Sequence, residues 1–163
     1  MYLLDGAVVL MLREARRAGG GHPGGTWAQR VPVQQMFLSA ATLLEFEEAA
    51  ASALSRAKES GAAWRDWIDR QLVPAFAERI LPIDAAVVQR HGQLGYADWR
   101  DGLLAATALT HHLALVTAEP RRFRSGRVRV LTPPELETGA AEEADWRDAT
   151  RSGGNWLRNL LIR

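Results

Sequence analysis

The stretch Asp98-Trp-Arg-Asp-Gly-Leu-Leu-Ala-Ala-Thr-Ala-Leu-Thr-His-His-Leu-Ala-Leu-Val-Thr117 decides how the chain is read. Small and apolar residues run from Gly102 to Leu109, which suits a helix packed tightly against something flat. The His111-His112 pair stops that run, and Leu113-Ala-Leu-Val116 then reads as a short strand buried on both faces. Two acids, Asp98 and Asp101, open the helix, and Glu119 lies just past the strand. A helix feeding an apolar strand that ends in polar residues is half of a βαβ unit. In sheets built that way, chemistry collects at the carboxyl ends of the strands.

Working toward the N-terminus, the same alternation repeats. Tyr2-Leu-Leu-Asp5 reads as a buried strand closed by an acid, with Gly6 turning into a helix through Val8, Val9, Met11 and Leu12. Gly19-Gly-Gly-His-Pro-Gly-Gly25 contains G-x-G-x-x-G but follows a helix, where a dinucleotide motif follows a strand, so it reads as a linker. Gln35-Met-Phe-Leu-Ser39 is the second strand. A helix from about Thr42 to Lys58 follows, with Leu43, Phe46, Ala50 and Leu54 on one stripe. A further helix, from about Ala62 to Ala77, carries Trp64, Trp67, Ile68 and Leu72, and Pro74 bends or ends it. Arg79 to Ile83 is a third strand, Asp84 to Gln93 a helix, and Arg127 to Leu131 an edge strand closed by Pro133-Pro134. Alternating elements of this kind give an α/β sandwich around a mostly parallel sheet. Residues 1–137 form that domain. Residues 138–163 read as an appendage, in which Trp156, Leu157, Leu160 and Leu161 give a short amphipathic helix one apolar face.

Composition excludes more than it assigns. A chain of 163 residues is one domain with a real core. Twenty basic and nineteen acidic residues leave a net charge of +1, so bulk charge selects no partner. The distribution is uneven: Arg121, Arg122, Arg124, Arg127 and Arg129 crowd one segment, and Glu135 to Asp148 is acidic. With no cysteine, disulfides, thiol catalysis and cysteine zinc sites are all excluded. No signal peptide or membrane-length apolar run is evident, so a cytoplasmic protein is the expectation.

Four carboxylates can then converge. Asp5 closes the first strand, Glu45 lies one turn into the helix after the second, Asp101 sits in the first turn before the fourth, and Glu119 follows that strand. Each also has a plainer role. Asp5 can cap its helix, Thr42-x-x-Glu45 is written as a capping box, and Asp98-x-x-Asp101 resembles one. An acid closing an apolar strand is costly unless paired or ligated, which makes Asp5 the strongest of the four.

In these blocks the chain resembles the PIN-domain ribonucleases, specifically the VapC- and FitB-like toxins of bacterial toxin–antitoxin pairs. The resemblance spans roughly residues 1 to 134. It rests on Tyr2–Asp5, Phe37-Leu-Ser-Ala-Ala-Thr-Leu-Leu-Glu45, Arg79-Ile-Leu-Pro-Ile-Asp84, Asp101-Gly-Leu-Leu-Ala-Ala-Thr-Ala-Leu109 and Leu115-Val-Thr117 with Phe123, in that order. It implies a three-layer α/β/α sandwich with a mostly parallel sheet and Mg²⁺- or Mn²⁺-dependent cleavage of RNA, with Asp5, Glu45 and Asp101 as the acids that hold the metal and Glu119 as a fourth. Few carboxylates plus substrate phosphates are the usual way to hold Mg²⁺, which would generate hydroxide for in-line attack on the phosphodiester. It further implies an antitoxin partner and a homodimer, for which the helix bearing Trp64 and Trp67 offers a surface. Arg13, Arg121, Arg122 and Arg124 are candidate contacts to RNA phosphates.

Three positions depart from the family pattern. Gly6 and Ala7 stand where a polar pair such as Thr-Asn usually follows the first acid, removing a hydroxyl from the site. Arg122 stands where many relatives place an acid just before the phenylalanine. The rival reading follows from them: a PIN domain that has lost turnover and acts as a binding or assembly module. Haloacid-type phosphatases are excluded by Ala7, and receiver domains by the placement of the only lysine, Lys58, inside a helix.

Overall fold

The computed structural model describes residues 1–17, 31–124 and 127–133. Within them a five-stranded sheet runs in the order β3-β2-β1-β4-β5, with every neighbouring pair parallel. The strands are β1 (Tyr2–Leu4), β2 (Met36–Ser39), β3 (Ile80–Leu81), β4 (Ala114–Val116) and β5 (Val130–Leu131). The helices are α1 (Gly6–Arg17), α2 (Ala40–Arg56), α3 (Lys58–Trp67), α4 (Ala85–Gly92) and α5 (Trp99–Thr110). No helix among the described residues is long and apolar enough to cross a membrane.

Strand alternation builds the layers. Leu4 pairs in register with Leu38 on one side and Val116 on the other. All three are fully buried in a cluster with Val8 and Val9 of α1, Phe46 and Ala50 of α2 and Trp67 of α3. The odd residues, Leu3 and Leu115, face the opposite way and join Leu104, Ala105 and Ala108 of α5 with Phe123. The run of small residues in α5 thus brings its backbone close to the sheet. α4 packs chiefly on α5 and is capped by Asp84, whose carboxylate accepts from the Val87 amide at 2.9 Å.

Several local expectations are corrected. α2 is capped by Ser39, whose Oγ accepts from the Ala41 amide at 3.2 Å. Thr42 therefore lies inside the helix, fully buried, and Thr42-x-x-Glu45 does not act as a capping box. Leu54 is exposed and Ala53 takes the inward position; α3 folds back closely because Gly61 presents no side chain to the Leu54 backbone. α3 starts at Lys58 rather than near Ala62. It continues through a π-helical turn, Ile68–Leu72, into a short helical segment, Val73–Ala75. The widened turn falls just before Pro74, which has no N–H for the carbonyl four residues back. Trp64 and Trp67 do not form a free surface. Trp67 is buried and Trp64 packs against the core; Trp64 stacks on Phe46 and Trp67 meets it edge-on. The glycine stretch 19–25, the domain boundary at 137/138 and the amphipathic tail all lie outside the described residues.

The α2–α3 hairpin is tight enough to test. A Cβ on Gly61 would come within 2.4 Å of the Leu54 Cα and 2.6 Å of the Leu54 backbone nitrogen, whereas one on Gly92 meets nothing within 4 Å. Gly61→Ala should therefore cost about 1–3 kcal/mol in urea unfolding despite alanine's better helix propensity. Gly92→Ala should be neutral or stabilising by up to about 1 kcal/mol.

Candidate active site

Parallel register fixes the centre of the site. Because Leu4 is level with Val116, the next residues, Asp5 and Thr117, emerge together at the carboxyl ends of β1 and β4. The Thr117 hydroxyl donates to Asp5 Oδ2, and the Val8 amide donates to Asp5 Oδ1 at 2.9 Å. Asp5 is 3% exposed and Thr117 wholly buried. Asp5 thus caps α1 and closes the first strand at once. The hydroxyl lacking at Gly6 is supplied to this carboxylate by Thr117, a residue the sequence offers only as the end of a strand.

Glu45 reaches the same place from α2. Its Oε2 lies 3.4 Å from where a Gly6 Cβ would stand, which sets the carboxylate in contact range of the β1–α1 turn. Asp101, 8% exposed, enters from the first turn of α5, which Asp98 caps by accepting from the Arg100 amide at 2.8 Å. Asp5, Glu45 and Asp101 line one cavity of about 370 Å³, shared with Gly6, Thr42, Arg100 and Arg122.

Two arginines occupy its charge field. Arg122 grips Asp101 with two donors, Nε to Oδ2 at 3.1 Å and Nη2 to Oδ1. Arg100 lies 3.9 Å from Glu45 Oε1 and 3.1 Å from Glu48 Oε2. Nothing in the sequence marks Arg100 beyond its place beside Asp101. Burial pushes the Asp5 and Glu45 carboxyls above their ordinary ranges, against the opposing pull of the Thr117 hydroxyl on Asp5 and of Arg100 on Glu45. The Asp101 hydrogen bonds hold the Arg122 guanidinium all the more firmly protonated.

Glu119 does not join them. Its side chain is 63% exposed, and its carboxylate lies 3.6 Å from Arg122 on the outer side. The reason is local: the Glu119 amide donates to Thr117 Oγ1 at 3.0 Å, and the chain then turns outward into the 3₁₀ turn Pro120–Phe123. That turn, anchored by buried Phe123, sends Arg122 back over the cavity in Glu119's stead. Arg121 and Arg124 are exposed on the same turn. Arg13 stands elsewhere, 4.4 Å from the Trp67 ring centroid, on a separate cavity of about 500 Å³.

No family model matches the chain. It is 30% identical to Toxin FitB of Neisseria gonorrhoeae (strain ATCC 700825 / FA 1090) over 115 residues, which are 66% of this chain and 81% of that toxin. The chain belongs to the PIN-domain family of VapC/FitB-like toxins. The structure of FitAcB from Neisseria gonorrhoeae superposes with a TM-score of 0.70 at 28% identity, covering 82% of this chain and 98% of that one. VapBC2 from Rickettsia felis, bound to a DNA fragment from its promoter, shares the fold with a TM-score of 0.56 at 16% identity, covering 80% and 97%.

For a PIN-domain protein the question is whether these residues suit a divalent ion. Three carboxylates are the hard oxygen donors that Mg²⁺ and Mn²⁺ take. Their arrangement is another matter. Among the described residues no three His, Cys, Asp or Glu side chains are disposed around one ion, and both Asp101 oxygens are engaged by Arg122. The donor chemistry fits; the geometry holds an arginine.

Asp5 gives a measurable consequence. Its ordinary value is 3.8 and burial raises it. Below that value the carboxyl is protonated in both folded and unfolded chains, and the native state bears no penalty. As pH rises the unfolded chain ionises first, so native stability is lost up through the raised folded value. In EDTA, Asp5→Asn should therefore melt above wild type at pH 7, with the difference shrinking toward pH 4, as read by calorimetry at stepped pH.

Proposed function

We propose that the chain is the toxin of a toxin–antitoxin pair and acts as a Mg²⁺- or Mn²⁺-dependent endoribonuclease that hydrolyses RNA phosphodiesters. The observation that carries this reading is the convergence of Asp5, Glu45 and Asp101, from three distant segments, on one cavity at the carboxyl edge of the sheet. Kinship with Toxin FitB supports the toxin role, and with it an antitoxin as partner.

The work of each residue follows from its setting. Asp5 is held on two sides by the Val8 amide and the Thr117 hydroxyl, so its carboxylate enters the cavity preoriented. Glu45 and Asp101 approach from separate helices and supply the remaining negative charge. Arg100 lines the same cavity and offers a cation to the scissile phosphate or its neighbour. A bound divalent ion would supply charge neutralisation at the phosphodiester and a nucleophile from water at neutral pH. Arg121 and Arg124, exposed beside the opening, are assigned to flanking RNA phosphates. Arg13, on its own cavity, is assigned to more distant ones.

The second reading, a PIN domain that binds or assembles without turnover, is favoured by one observation: the Arg122–Asp101 pair. Incubation with single-stranded and structured RNA in Mn²⁺ separates the two. Cleavage should require the metal, stop in EDTA, and fall on the order of a hundredfold or more in Asp5→Asn. RNA bound but left intact at every Mn²⁺ concentration would select the binding module. We further propose a homodimer that does not use Trp64 and Trp67, since Trp67 is buried and Trp64 is half-buried against the core and lines the cavity. Light scattering should give twice the 18.0 kDa chain mass at micromolar concentration, and a monomer throughout would remove that assignment.

A further inference from the structure

Three carboxylates around one cavity repel one another, and the fold must neutralise them in the absence of a metal ion. Arg122 does so from the point where it has most effect. Its two donors take both oxygens of Asp101, whose side chain is 11% exposed, while its own side chain is 40% exposed. The residue is therefore tethered at one end and open to water at the other. Its backbone is pinned independently: Phe123 is buried beside it, and its amide donates to the Glu119 carbonyl at 3.1 Å. The guanidinium is thus free to leave without unfolding the turn that carries it. Glu119 Oε2 already stands 3.6 Å from Nη1 on the solvent side.

We propose that Arg122 is the resident counter-cation of the acidic site, that a divalent ion binds only as Arg122 swings out, and that Glu119 receives the released guanidinium. This deepens the metal-dependent reading and rests on it. Glu119 is then no metal ligand. It is a positioning residue that acts through Arg122, which accounts for an acid that lies in family register yet faces solvent. A unit positive charge about 6 Å from a divalent ion, at a dielectric near that of water, lowers its affinity on the order of tenfold.

The test is direct Mn²⁺ binding to the full chain, by titration calorimetry and by loss of the free Mn²⁺ electron-spin signal, with no RNA present. Arg122→Gln should bind Mn²⁺ about tenfold more tightly than wild type. Arg122→Lys, which keeps the charge but not the two-pronged grip, should fall between them and guards against a folding defect. Glu119→Gln should weaken binding in the wild-type background and change nothing in the Arg122→Gln background, because its effect passes through the arginine. Equal loss in both backgrounds would make Glu119 a ligand in its own right and overturn its assignment as receiver. If Arg122→Gln leaves the affinity unchanged while Asp101→Asn abolishes binding, the counter-cation idea fails and the metal site stands. Should no variant bind Mn²⁺ up to millimolar concentration, the metal-dependent reading fails and takes this proposal with it.

Discussion

A carboxylate at 3% exposure, closing an apolar strand, is the constraint around which this protein is arranged. Burying Asp5 is costly unless its oxygens are matched, and the fold matches both. One is met by the first free amides of α1. The other is met by Thr117, brought level with Asp5 by the parallel pairing of β1 with β4. A slip of one residue in that pairing would turn Thr117 to the other face and leave one oxygen of the buried Asp5 carboxylate without its partner. The register of the two central strands and the integrity of the acidic cavity are therefore one requirement.

The same requirement sets a tension between stability and use. Burial raises the Asp5 and Glu45 carboxyls, so at neutral pH the native chain carries charge it would be more stable without. Groups kept at such a cost are where binding and chemistry concentrate. Arg100 and Arg122 reduce the cost without removing the carboxylates. Their own side chains remain near 40% exposed, which keeps each pair weaker than its geometry suggests.

Much of the fold was legible because strand burial is written in the sequence with little ambiguity. Leu3, Leu4, Leu115 and Val116 form short apolar runs that end in polar residues, the pattern of strands in a sheet covered on both faces. The small residues from Gly102 to Ala108 likewise announce a helix lying close on that sheet. What escaped was set by tertiary context. Thr42-x-x-Glu45 has the spelling of a capping box, but Ser39, at the end of β2, is already placed to cap the helix. Trp64 and Trp67 resemble partner surface until α3 folds back on α2 and packs both rings against Phe46. Of the site, Asp5, Glu45 and Asp101 reach one cavity, as their order along the chain suggests. The direction of Glu119 was not legible. Sequence gives its distance from Thr117, but the backbone turn between them decides which side of Arg122 it occupies.

The exchange of an acid for Arg122 changes the electrical character of the cavity more than its shape. Three carboxylates facing two guanidiniums leave one net negative charge among the lining side chains. A carboxylate at position 122 would set four against one and leave three. A cavity with three net negative charges has to be filled by cations to be tolerable, whereas one with a single charge is nearly balanced as it stands. The arginine therefore shifts the balance toward the metal-free state, and in the proposed metal-dependent reading ion binding would be an exchange rather than an addition. It also leaves the freed guanidinium at the rim of the cavity, where a polyanion passing Arg121 and Arg124 would meet it. On that proposal, a substrate with phosphates would favour the displaced arrangement from outside while an ion favoured it from within. By linkage, each would raise the affinity for the other.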